Sequence, residues 1–269
     1  MFSKSSVKIG LVALAVLSSI ATTAYAFHSW GNYHWARTAN PFTLKLGDNM
    51  SATWDPYLVT ASADWTLSSV LDTTIVTGNN LSNPRNCKPK AGQIEVCNAK
   101  YGNNGWLGIA TIWISGSHIT QATAKMNDTY FNMATYSAPA WKQLVVCQEI
   151  AHGFGLGHQD EAFNNANLGS CMDYTNDPDG GPGGFSATDP SNEHPNQHDY
   201  DQLETIYNNH LDLITTVGQA IARKGNHDDA AEVADWGKSI RKDGKGRTSL
   251  YERDLGKGNK VFTFILWAD

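Results

Sequence analysis

The chain has 269 residues, 20 Lys and Arg against 26 Asp and Glu, a net charge of −6 and 41% hydrophobic residues. An acidic balance without a basic stripe argues against nucleic acid as a partner. The length allows one substantial core. No stretch beyond the N-terminal one is long and apolar enough to span a membrane, and the sequence gives no reading of oligomeric state.

The first segment, "MFSKSSVKIGLVALAVLSSIATTAYA", places Lys4 and Lys8 ahead of an apolar run. Ala24-Tyr25-Ala26 follows as an A-x-A cleavage site. This predicts a secretory signal peptide over 1–26, cleaved near Ala26. Removing it leaves Phe27 first, a net charge of about −8 and an extracellular or periplasmic protein. Residues 34–46 read as an extended start broken by Pro41. A helix is expected within 51–70, and Val70 to Val76 is β-branched enough for a strand. Gly78 to Gly92 is loop.

The run "WLGIATIWI" at 106–114 predicts a strongly apolar strand. The weakly alternating "HITQATAKM" at 118–126 predicts an edge strand. Ser137 suits an N-cap, with Pro139 in the first turn of a helix running through Gln148 and His152. Loop returns at 176–198, around "DPDGGPGG". That loop could hold calcium, though it lacks an EF-hand pattern. A second helix is expected to place Tyr200, Leu203, Ile206, Tyr207 and Leu211 on one face. The tail, with "SLYERDL" and "KVFTFILWA", reads as a hairpin packed on the main body. His118, His194, His198 and His210 have no motif around them and read as structural or surface. Asn49, Asn80 and Asn127 begin N-glycosylation tripeptides.

Cys87, Cys97, Cys147 and Cys171 form an even set in an exported chain, which predicts disulfides. Three pairings are open; Cys87–Cys97 is favoured because it closes a small loop.

The stretch at 147–158, "CQEIAHGFGLGH", carries the chemistry. Helical spacing puts Trp141, Leu144, Val145, Gln148, Ala151 and His152 on one face, so Gln148 and His152 stack one turn apart. Glu149 lies beside them. Gly155 can take a left-handed conformation and end the helix, and His158 can swing back to the same point. Two ligands at i and i+4 and a third after a glycine turn make a three-sided metal site with room for water. A neighbouring glutamate can take that water's proton.

This stretch resembles the metzincin metalloproteases, whose motif is H-E-x-x-H-x-x-G-x-x-H. Gln148 stands in place of the first histidine. Met172 of "CMDY" lies fourteen residues after His158 and matches the methionine turn of that family, and Tyr174 matches a tyrosine that approaches the metal. The resemblance implies an α+β, zincin-like fold: a mixed twisted sheet, an active-site helix, a methionine turn and a C-terminal helix. A small β-rich C-terminal extension is added here. The expected division is 1–26 signal peptide, 27–215 catalytic domain and 216–269 extension.

The resemblance also implies one catalytic Zn2+ on His152, His158 and Gln148, with Glu149 as general base and Tyr174 supporting the oxyanion. Gly155 and Met172 would be structural at the site. If Gln148 does not bind, Asp160, Asp173, Tyr174, His194 and His198 are candidates to complete the shell. A Cys147–Cys171 bridge would tie the helix to the floor of the site. An extended peptide substrate would pair with 118–126. The function implied is a secreted zinc-dependent endopeptidase. The alternative is a weak or inactive binding protein on the same fold, since an amide oxygen is a weaker zinc donor than imidazole.

Overall fold

A computed structural model describes residues 28–218 and 236–268. The expected signal peptide, and residues 219–235 of the expected extension, lie outside these. Among the described residues nine strands form one sheet. They are β1 (His34–Trp35), β2 (Phe42–Asn49), β3 (Leu71–Thr77), β4 (Gln93–Ala99), β5 (Trp106–Ser115), β6 (His118–Asn127), β7 (Lys238–Lys242), β8 (Thr248–Gly256) and β9 (Asn259–Trp267). The helices are α1 (Asp55–Trp65), α2 (Asp128–Phe131), α3 (Pro139–His152) and α4 (Gln197–Tyr207). Among the described residues no helix is long and apolar enough to cross a membrane.

The sheet order is β3-β2-β4-β6-β5-β9-β8-β7, with β1 added to the start of β6. Strands β3, β2, β4 and β6 are parallel. From β6 onward every pairing is antiparallel. The long apolar run of β5 is buried along nearly its whole length, as a strand covered on both faces must be. One face carries α3 and the main core, to which Phe262, Phe264 and Leu266 of β9 contribute. On the other face Trp106, Ile109, Trp236 and Ile265 form a smaller cluster. The β8–β9 turn is made by Lys257 and Gly258, with φ of 54° and 76°. Two positive φ values in a two-residue loop match the twist of the flanking strands.

Several expectations are corrected. Strand β6 is not an edge: β4 lies on one side of it and β5 on the other. Its polar alternation reports which face its side chains occupy, and says nothing about whether its backbone is paired. On its other side β5 is covered by β9, which pairs along it from Ser115 to Trp106.

Strand β4 was hidden by Glu95. This buried carboxylate accepts from Asn49 Nδ2 at 2.6 Å, the Asn79 amide at 2.9 Å and Asn80 Nδ2 at 3.2 Å. A buried carboxyl group whose donors come from other segments looks like a loop residue in sequence. Asn49, Asn80 and Asn127 are buried in these and similar contacts, so they are not glycan acceptors in this fold.

Helix α3 is preceded by Ala138, which gives no side-chain cap; Ser137 instead donates to the Ala134 carbonyl. Leu211 lies beyond α4 and is exposed. Both disulfides are present, Cys87–Cys97 and Cys147–Cys171, with Cα separations of 5.9 and 6.0 Å.

Candidate metal centre

Helix α3 delivers Gln148, Glu149 and His152 fully into the interior. Its end is held from outside: Trp35 Nε1 donates to the Gly153 carbonyl at 2.8 Å, and Trp65 Nε1 donates to that of Cys147 at 3.3 Å. The helix stops at His152 with Gly153 as its cap, and Gly153 has an ordinary negative φ. The expected left-handed residue comes two positions later, at Gly155, with φ of 104°. A Cβ there would lie 2.5 Å from the Tyr33 carbonyl oxygen, so both conformation and space demand glycine.

The turn brings His158 back against His152, with ring centroids 4.6 Å apart and planes nearly perpendicular. His152 Nδ1 lies 2.8 Å from the Leu156 carbonyl oxygen. A carbonyl only accepts, so Nδ1 carries the hydrogen and Nε2 presents a lone pair. His158 Nδ1 lies 2.6 Å from Glu161 Oε1, which fixes its ring in the same sense. Gln148 Nε2 donates to the Cys171 carbonyl at 2.7 Å, leaving Oε1 as the free end of the amide. His152 Nε2, His158 Nε2 and Gln148 Oε1 are all buried without a hydrogen-bond partner.

Both oxygens of Glu149 are buried and unpartnered as well. The carboxyl lies against Gly108 near the start of β5, where a Cβ would sit 2.3 Å from Oε1. Burial pushes the Glu149 carboxyl well above its usual range. Burial, and then the His158 ring, hold His152 well below its own, so it is neutral. Burial by itself would raise Glu161, but the His158 ring and the Ser249 and Arg241 donors hold it below the usual carboxylate range.

The floor is the segment 170–174. Met172 is buried, its amide bonded to Ser170 Oγ at 2.9 Å and its carbonyl to the Gln159 amide at 2.6 Å. Tyr174 packs its ring 4.5 Å from that of His158. The other candidate ligands are engaged elsewhere. Asp160 accepts from the Ala162 amide, Asp173 from Leu168 and Asn192, and His194 meets Asp64. His198 lies beside His28. Among the described residues no His, Cys, Asp or Glu completes a cluster of three with His152 and His158. The Gly-rich loop forms a short turn at Gly181–Gly183 and gathers no such cluster either.

The C-terminal strands close the site. Phe264 of β9 stacks on the His152 ring at 4.0 Å with a 10° interplanar angle. Tyr174 Oη donates to the Ile265 carbonyl at 2.9 Å. Ser249 of β8 donates to Glu161 at 2.8 Å, and Arg241 of β7 approaches the same carboxylate at 3.6 Å. Gly108, Glu161 and Phe264 were not read as site residues in the sequence. Only Gly108 left a signal, a glycine inside an apolar strand, which marks a close approach.

The donor set suits zinc: two imidazoles held through Nδ1 with Nε2 turned inward, an oriented amide oxygen and a carboxylate alongside. No protein-family model matches the chain, and no curated protein does. Among solved structures it is similar to high choriolytic enzyme 1, a hatching-enzyme zinc protease from Oryzias latipes. The identity is 10% over 66% of this chain and 96% of that one, with a TM-score of 0.37. It is also similar to myroilysin, 11% identical over 68% of this chain and 99% of that one, with a TM-score of 0.38. Likenesses this loose leave the functional reading to the residues themselves.

Proposed function

We propose that the chain is a secreted zinc-dependent endopeptidase of the metzincin type, with its substrate track covered by its own C-terminal strand. One observation carries this reading: three buried donors without partners, Gln148 Oε1, His152 Nε2 and His158 Nε2, beside an equally unpartnered Glu149. Each buried group left unsatisfied costs about 1–3 kcal/mol. Four in one place call for a ligand.

A zinc ion bound there supplies Lewis acidity, polarising a carbonyl and lowering the pKa of a water. The chain's own groups do the rest. Leu156 and Glu161 hold the two histidines in the tautomer that donates through Nε2. Cys171 holds the Gln148 amide with its oxygen free. A nearby cation favours the charged form of Glu149 against its burial. Glu149 then takes the proton from the attacking water and passes it to the amine nitrogen as the C–N bond breaks. Tyr174 Oη, which here donates to a peptide carbonyl of β9, stabilises the oxyanion of a substrate in the same position.

The peptide pairs with β5, the strand that lines Glu149, and not with 118–126. Strand β9 now holds that place, so hydrolysis requires β9 to leave. The two disulfides fit export into an oxidising compartment.

The sealed site also favours a second reading, a secreted binding protein that has kept the fold and lost turnover. Casein cleavage separates the two, measured on the protein as purified and after treatment with immobilised trypsin that is then removed. The peptidase reading expects cleavage, and Glu149→Ala lowers kcat/KM by about 10²–10⁴-fold with the fold intact. Equal cleavage by Glu149→Ala would discard the mechanism. No cleavage together with no bound zinc would leave the binder.

A further inference from the structure

Three parts of the chain meet at a second cluster. The β1–β6 register sets His34 opposite His118. The segment after α4 runs back along β1, with the Asp212 amide on the Arg37 carbonyl at 2.8 Å and the Thr216 amide on that of Ala36 at 3.0 Å. This brings His210 and Asp212 to the two histidines. His34 Nε2 lies 3.1 Å from His210 Nε2 and 3.6 Å from Asp212 Oδ1. His118 Nε2 lies 3.1 Å from the same oxygen.

Hydrogen bonding alone accounts poorly for this arrangement. His34 Nδ1 lies 2.8 Å from the Asn32 carbonyl oxygen, so it carries the hydrogen and Nε2 presents a lone pair. His210 Nε2 faces Arg37 Nη1 at 3.4 Å, and a guanidinium only donates. When His210 Nε2 accepts from Arg37, two lone pairs point at each other across 3.1 Å, with a carboxylate oxygen beside them. A proton on His210 Nε2 would relieve this only by facing the Arg37 cation. A second proton on His34 is disfavoured by the burial of its ring.

Arg37 has a different task. It donates to Asp212 Oδ2 at 2.9 Å and to the carbonyls of Tyr207 and His210, which aims Oδ1 inward. Its charge opposes a cation, and the Asp212 carboxylate it pairs with offsets it.

We propose that His34, His118, His210 and Asp212 hold a divalent transition-metal ion, zinc in the first instance, at a site separate from the central one. A tetrahedral zinc with ligand bonds near 2.0–2.1 Å sets its donor atoms about 3.3 Å apart. The donor atoms of His34, His210 and Asp212 all lie within 4.8 Å of one another; His118 stands outside that group, 3.1 Å from Asp212 Oδ1, and its partly exposed ring turns in to become the fourth ligand. Three imidazoles and a carboxylate suit zinc better than calcium or magnesium. Four protein ligands leave no open position, so the ion is structural. It staples the first strand, β6 and the segment after α4 at the end of the sheet. His118 and His210 keep enough exposure for the ion to enter.

The test uses the full chain, stripped with chelator, reloaded by dialysis against zinc chloride, and assayed by elemental analysis and thermal melting. The expected content is two zinc ions per chain. His118→Ala with His210→Ala should lose one, together with the part of the zinc-induced rise in Tm that this ion provides. His152→Ala with His158→Ala should lose the other. His210→Gln alone, at an exposed position, guards against misfolding of the double variant and should bind the second ion at least tenfold more weakly. If the His118/His210 variant keeps the wild-type zinc content and Tm rise, the proposal is overturned and the cluster is held by protons. A wild type that binds one ion, lost with His210, would support this site and sink the central one.

Discussion

Gln148 is the residue on which the chemistry turns. Its helical position follows from local geometry, and so do those of Glu149 and His152, because spacings of one and four residues fix directions around a helix whatever the fold. That is why these three, and His158 after its glycine turn, were legible in sequence. What the sequence could not supply was the partner of the amide nitrogen. The Cys171 carbonyl takes that hydrogen at 2.7 Å, which leaves the oxygen as the donor. Gln148→His tests the consequence. An imidazole can keep the same carbonyl with one ring nitrogen and offer the other, a stronger zinc donor, in place of the amide oxygen. Zinc affinity measured by competition with a chromogenic chelator should rise about tenfold, equivalent to about 1.4 kcal/mol. Unchanged affinity would put Gln148 outside the ligand set.

At the scale of elements, α3 and the segment 170–174 act as one unit. The Cys147–Cys171 bridge joins them, and the carbonyls of both cysteines are used, one by Trp65 and the other by Gln148. In the chain-entropy view, a bridge across 24 residues constrains the unfolded chain by about 3 kcal/mol. Cys147→Ala with Cys171→Ala should lower stability in urea by about that amount and weaken zinc binding, since the Gln148 amide loses its fixed anchor. Cys87→Ala with Cys97→Ala should lower stability without touching zinc affinity, because that bridge packs against β4 and β6. Equal zinc affinity in all three proteins would separate the bridge from the site. The elements least legible in sequence were those whose character depends on distant partners. Strand β4 hid behind Glu95, whose asparagine donors come from two other segments. Strand β6 looked like an edge because side-chain polarity records faces, whereas hydrogen-bonded edges are decided by which strand arrives next.

At the scale of the molecule, the strand that arrives next to β5 comes from the far end of the chain. Its apolar composition announced a hairpin, but nothing local announced where the hairpin would dock. Val261, Phe262, Phe264, Ile265 and Leu266 are all buried, and at about 1.5–3 kcal/mol for each side chain β9 holds its place by roughly 10 kcal/mol. Spontaneous release is therefore rare. Activity, on the peptidase reading, needs β9 to be cut loose or displaced by a peptide that pairs with β5 in its stead.

A cross-link distinguishes a removable cover from a permanent wall. Thr111 and Thr263 face each other across the β5–β9 pairing, at a separation that neighbouring antiparallel strands place within disulfide reach. In Thr111→Cys with Thr263→Cys, the oxidised bridge prevents β9 from leaving. Casein cleavage, assayed before and after the same trypsin treatment, should be at least about tenfold below that of Thr263→Cys alone, a barrier difference of about 1.4 kcal/mol or more. Reduction under conditions that leave the Tm and zinc content of the Thr263→Cys protein unchanged should restore it. Equal cleavage by the oxidised and single-cysteine proteins would mean that substrate reaches Glu149 without passing along β5, and the strand-exchange picture would fall while the zinc site stood.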